Sequence, residues 1–240
     1  MPRTREDTYQ DALQRARGDL RRLDPFRAAY LAGCSYTAQP QGRFDLTFFG
    51  SEYAIAFPDA QVRTASASEP DVSTQILLLH YLIHADGTPP ADHWISFREL
   101  PDGRIYDAAF QGRSPVRVAR VLGHDLDGFV SACRALKGEA IRFGDAAYRF
   151  QILPRVAMAV ILHLGDDEFP ATGNVVFDGA AGHYLPTEDY AVLGGMLASK
   201  IVSVATQRVS VATQRVSAAT QRRDPVGQRS NPAQQAGGEG

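Results

Sequence analysis

The chain has 240 residues, 44% hydrophobic and 22% charged, with a formal net charge of −2. These proportions suit a globular protein with ample core volume, and the near-balance of charge excludes whole-chain attraction to nucleic acid or anionic membrane. No apolar stretch follows the charged N-terminus, as a secretory signal requires, and the longest apolar run, 156–162, is too short to span a bilayer. The only cysteines, Cys34 and Cys133, lie far apart; they fit a reducing compartment and build no C-x-x-C metal knuckle. A cytoplasmic location without membrane contact is expected.

Residues 5–23 read as an amphipathic helix, because Tyr9, Leu13, Ala16, Leu20 and Leu23 recur at steps of three and four. A second helix starts at Asp24-Pro25, a capping aspartate before a first-turn proline, and stops at Gly33. Alternation in Phe44, Leu46 and Phe48, resumed in Tyr53, Ile55 and Phe57, predicts a hairpin turning at Gly50-Ser51. A helix follows from about Pro70 to Ala85. A second hairpin is read from Trp94–Leu100 and Arg104–Phe110, turning at Pro101-Asp102-Gly103, then helices near 115–122 and 126–137 ended by Gly123 and Gly138. Strands follow at Glu139–Arg142 and Ala147–Leu153. The apolar run to Leu164 loses alternation, which predicts a strand covered on both faces. A short strand at Asn174–Phe177 precedes a helix beginning at Thr187 and running through Tyr190, Leu193, Leu197 and Ile201.

Antiparallel hairpins packed with helices imply an α+β fold in one compact domain, residues 5–202. From Ser203 the sequence Ser-Val-Ala-Thr-Gln-Arg-Val repeats at 210–216 and decays at 217–223. Val202, Val209 and Val216 lie seven apart, as a coiled-coil seam requires, but the seam is short and its composition favours a mostly disordered tail over 203–240. Lys200, Arg208, Arg215, Arg222 and Arg223 make the tail basic. Without aromatics to stack bases they form a poor nucleic-acid site.

Three constellations have chemical potential. His80 and His84 share a helix face at the spacing of two metal ligands, but Tyr81 stands where a metalloprotease places its glutamate, and no third ligand is at a telling spacing. Asp166, Asp167, Glu168, Asp178 and Glu188 follow strand ends, where carboxylates hold a hard cation or act as acid and base. Their plainer roles are loop solvation, a turn at Asp178-Gly179, and negative charge in the first turn of a helix capped by Thr187. Trp94 is a core candidate that also suits ligand contact. Cys34 reads as a structural thiol, and no nucleophile elbow or phosphate loop is present.

The runs Gly165-Asp-Asp-Glu-Phe-Pro170, Asn174-Val-Val-Phe-Asp178 and His183-Tyr-Leu-Pro-Thr-Glu-Asp189 resemble the bacterial and archaeal family named domain of unknown function 3786. Phe48-Phe-Gly-Ser-Glu-Tyr53, Leu79-His-Tyr-Leu82, Trp94-Ile-Ser-Phe-Arg-Glu-Leu100 and Leu153-Pro-Arg155 resemble it in the same order, over about residues 8–202. The resemblance implies a link to redox or corrinoid metabolism, since some members carry an added iron–sulfur segment. Two distant cysteines cannot supply the four thiolates of such a cluster, so none is expected here. No cofactor and no catalytic residue follows from the resemblance. The expected function is therefore a binding or accessory module for a partner protein or small ligand. The alternatives are a metal-dependent or acid–base enzyme using the carboxylates, and a structural protein oligomerising through its tail.

Overall fold

Local signals account for the N-terminal third. Helix α1 (Arg5–Leu20) buries Leu13, Ala16 and Leu20. Helix α2 (Pro25–Ala32) starts where Asp24 accepts a hydrogen bond from the Arg27 amide and ends at Gly33, whose φ of 66° is the left-handed conformation anticipated there. The computed structural model describes the backbone of residues 5–221 and the side chains of residues 6–208. Strands β1 (Ser35–Thr37), β2 (Gly42–Phe48), β3 (Ser51–Phe57) and β4 (Val62–Thr64) form an antiparallel meander in that order.

The β2–β3 turn lies one residue earlier than Gly50-Ser51. Phe48 faces Ser51, so Phe49 and Gly50 form the loop, with φ of 49° and 73°. Positive φ at both central residues is the pattern of a type I′ hairpin turn; in phenylalanine it costs about 1–2 kcal/mol. The Phe49 amide is held by donating to the Ile152 carbonyl at 2.9 Å.

Helix α3 (Val72–His84) follows, with the Asp71 carboxylate accepting from both the amide and the hydroxyl of Thr74. The expected second hairpin is not formed. Strand β5 (Trp94–Ser96) stops because Glu99 accepts from the amide and hydroxyl of Ser96, curling Phe97–Glu99 into a short 3-10 turn. Residues Gly103–Arg113 are helix α4, with Gly103 and Phe110 buried two turns apart while Ile105 is 74% exposed. That spacing is helical, not alternating. β5 instead pairs with a distant strand.

Helices α5 (Pro115–Leu122) and α6 (Leu126–Ala135) lead into β6 (Glu139–Ile141), β7 (Ala146–Leu153), β8 (Val156–His163) and β9 (Thr172–Asp178). The second sheet is antiparallel in the order β5-β9-β8-β7-β6. One face, with Tyr148, Phe150, Met158, Val160 and Phe177, lies under helices: Phe129 of α6 meets Tyr148 and Phe110 of α4 meets Phe177. β8 is buried from Val156 to Leu162, as its lost alternation implies. On the other face this burial belongs to Ala157, Ala159 and Ile161, the two alanines being short side chains in register with the longer Gln151 and Arg149. The fold is α+β, and one hydrophobic cluster joins both sheets to the helices.

Helix α7 (Thr187–Gln221) packs through Tyr190, Leu193, Leu197 and Ile201. Thr187 does not cap it; its hydroxyl donates to the Pro101 carbonyl. The helix passes Val202 without a break, with Ala205 of the first repeat still buried. The disordered tail expected over 203–240 is helical in its first part, to Gln221, where it continues α7; the rest lies outside the described residues. No helix among the described residues is long and apolar enough to cross a membrane.

Candidate functional site

The turn between β7 and β8 separates two cavities. A bulge falls between Gln151 and Leu153, and the Gln151 side-chain Nε2 donates to the Leu153 carbonyl at 2.8 Å, tightening the turn. Gln151 and Pro154 line both a cavity of about 780 Å³ and a cleft of about 300 Å³. Tyr81, fully buried on α3, anchors the turn from behind. Its hydroxyl donates to the Ala32 carbonyl at 2.5 Å and accepts from the Arg155 amide at 3.0 Å. Burial pushes this phenol well above its ordinary range, so it remains a donor. The Arg155 side chain lies against Gly33, where a Cβ would come within 2.9 Å of Nε. That Nε is buried with no hydrogen-bond partner among the described residues.

The larger cavity has an apolar interior from Leu46, Phe49, Leu136, Phe150, Leu153 and Leu197, and two cations at its wall, Lys137 and Lys200. Lys137 adopts φ of 60° just past α6, while Lys200 Nζ stands 5.2 Å from the centre of the Phe49 ring. The lining carboxylates are engaged: Asp45 by Arg43 at 3.0 Å and Glu52 by the Thr47 hydroxyl at 2.9 Å. Neither lysine has a carboxylate partner among the described residues. Cys34 also lines the cavity, but burial pushes its thiol up to about 11, which keeps it protonated and unreactive at neutral pH. Burial likewise raises Cys133.

Trp94 and Asp178 face each other across the β5–β9 ladder and line the smaller cleft with His93, Arg149 and Arg155. Asp178 serves the turn: its Oδ1 accepts from the Ala91 and Ala180 amides, both at 2.9 Å. The other carboxylates do not converge on it. Asp166, Asp167 and Glu168 lie beyond the opposite end of β9, about 20 Å away along a seven-residue strand. Asp166 is held below its ordinary range by the Phe169 and Glu168 amides. Glu188 accepts the Tyr106 hydroxyl on the helical side.

His80 and His84 do share a face, their ring centres 5.7 Å apart. His80 Nδ1 is 2.6 Å from a carboxylate oxygen of Asp189, itself 8% exposed. Among the described residues no group of three or more histidine, cysteine or acidic side chains is placed to hold a metal. Burial, then His80, lowers His84 below 6.5, partly offset by Asp189 and Asp19. The folded state therefore binds fewer protons than the unfolded chain just below pH 6.5. The stability this difference contributes is present above 6.5 and lost as pH falls through the folded value. His84→Gln is expected to flatten the acid side of the stability profile, read by urea unfolding at stepped pH; an unchanged profile contradicts this. At another point of the loop after α3, Asp86 is depressed to about 2 by hydrogen bonds from Thr88 and His183.

Sequence reasoning missed Lys137, Lys200, Phe49 and the anchoring by Tyr81. Phe48–Tyr53 and Leu153–Arg155, two segments that carry the family resemblance, meet at the larger cavity; Trp94–Leu100 and Asn174–Asp178 meet at the smaller one. A family model described as domain of unknown function (DUF3786) matches residues 24–200. The match leaves out α1, which the resemblance had included from about residue 8. No curated protein and no solved structure matches the chain.

Proposed function

The chain belongs to the DUF3786 family, and from that premise we propose that it is a non-catalytic binding module whose larger cavity takes a small amphipathic anion, an apolar body ending in a carboxylate. The observation that carries this reading is the cavity of about 780 Å³ with an apolar interior, two lysines lacking carboxylate partners and carboxylates already engaged. Its volume is that of a small-ligand pocket, in which apolar walls supply affinity and a few polar groups fix orientation. An apolar body buried against Phe49, Leu136 and Leu197 leaves its charged end beside Lys137 and Lys200. The adjacent protonated Cys34 fits binding better than covalent chemistry.

Titration calorimetry with dodecanoate tests the reading. One saturable site is expected, with dodecanol binding more weakly. Lys137→Ala/Lys200→Ala is expected to weaken dodecanoate about five- to tenfold, the effect of two partly exposed ion pairs, without changing the melting temperature. No saturable binding, or equal affinity in the folded double variant, overturns it.

A further inference from the structure

An open groove of about 730 Å³ lies between α7 and the α4–α5 junction, and it shares only Lys200 with the cavities at the β7–β8 turn. Its other cations are Arg113 and Arg117, and no carboxylate lines it among the described residues. Neither arginine has a carboxylate partner elsewhere among those residues. Arg117 is held by donating to the Ser199 hydroxyl at 2.5 Å, and that hydroxyl donates in turn to the Gly195 carbonyl at 2.7 Å. Val192 and Met196, half-buried on α7, give the groove an apolar wall.

The groove also contains a gap that packing does not require. Gly194 and Gly195 stand side by side inside α7, where glycine destabilises a helix relative to alanine. Packing accounts for the first, because a Cβ on Gly194 would come within 2.6 Å of the Phe110 ring. It does not account for the second. A Cβ on Gly195 would meet nothing nearer than the Arg113 Cβ, at 4.0 Å. Gly195 lines the groove, so a larger side chain there fills the space beside Arg113 without clashing with the fold.

We propose that this groove is a second binding site, taking a small soluble molecule that carries a phosphomonoester. The phosphate sits at Arg113 and Arg117, and the rest of the molecule lies along Val192 and Met196 over Gly195. A phosphomonoester brings a charge of about −1.5 to −2 at neutral pH and three acceptor oxygens. That matches two guanidinium forks, where a single carboxylate engages one. The volume is that of a small-ligand site, and the Ser199 contact orders Arg117 in advance, which lowers the cost of binding. The site does not depend on the ligand proposed for the cavity at Lys137. Lys200 lines both spaces with its Nζ over the Phe49 ring, so the test leaves it unaltered.

Titration calorimetry of the full chain with phenyl phosphate tests the assignment. One saturable site is expected, with benzoate binding more weakly. Arg113→Gln/Arg117→Gln is expected to weaken phenyl phosphate roughly tenfold or more, the loss of two charge-assisted contacts. Lys137→Ala is expected to leave its affinity unchanged, which separates this site from the larger cavity. Gly195→Leu is expected to abolish binding without lowering the melting temperature, because it fills the groove and removes a helical glycine. The proposal is overturned by any of four results: no saturable binding, equal affinity in the folded arginine variant or in Gly195→Leu, benzoate binding as tightly as phenyl phosphate, or a loss caused by Lys137→Ala. Sedimentation of the chain with phosphatidate vesicles, in the absence of phenyl phosphate binding, overturns it too by assigning the arginines to a lipid surface.

Discussion

Phe177→Ala is expected to destabilise the protein by about 3–5 kcal/mol, the cost of removing a fully buried aromatic side chain. Phe177 is 0% exposed. Its ring centre lies 5.2 Å from Tyr190, 5.8 Å from Phe110 and 6.0 Å from Phe97, and the last two stack at 4.1 Å and 8°. These four rings come from β9, the turn after β5, α4 and α7, so one side chain fills the junction where β9, α7 and the β5–α4 segment meet. The void cannot close easily, because Phe97 and Phe110 already support each other face to face and the Tyr190 hydroxyl is fixed to the Ala181 carbonyl at 2.7 Å. The melting temperature should fall by about 6–20 °C. Ile105→Ala, at a position 74% exposed on α4, should stay within about 0.5 kcal/mol of wild type. Comparable losses in the two variants would contradict this account of the core.

Tyr81→Phe is expected to cost about 2–4 kcal/mol by leaving two backbone groups, the Ala32 carbonyl and the Arg155 amide, without their buried partner. The substitution keeps the ring and its volume, so the loss reports the hydroxyl. It also releases the turn that divides the two cavities. Hydrogen exchange should therefore accelerate at the Arg155 amide and around Gly33 while the amides of α6 keep their protection. Uniform acceleration across the fold, or none at Arg155, would show that the hydroxyl does not anchor the turn.

Elements whose signals were local were legible in the sequence. Asp24, Pro25 and Gly33 mark both ends of α2, and β8 betrays its burial by losing alternation. The segment 94–110 misled because its strand is short and its partner is distant. The Ser96–Glu99 hydrogen bonds end β5 after three residues, and Trp94 pairs with Asp178, far along the chain. The histidine spacing correctly placed His80 and His84 on one face, but the carboxylate that bonds His80, Asp189, comes from α7, and only the fold reveals that contact. For the candidate carboxylates, spacing gave no warning that β9 holds Asp166–Glu168 and Asp178 at opposite ends. Lys137 and Lys200 carry no motif, and only the packing of β7, α6 and α7 brings them to one cavity.

The strand order of the larger sheet has a consequence for synthesis. β5 emerges from the ribosome well before β9, its only ladder partner among the described residues, because β6, β7 and β8 must be made first. The nascent chain must therefore keep Trp94–Ser96 unpaired through much of translation, and the sheet closes by a long-range step that slows assembly. A long waiting strand would offer its free edge to other nascent chains. A strand of three residues, followed at once by a helical turn and α4, keeps that edge too short to recruit them.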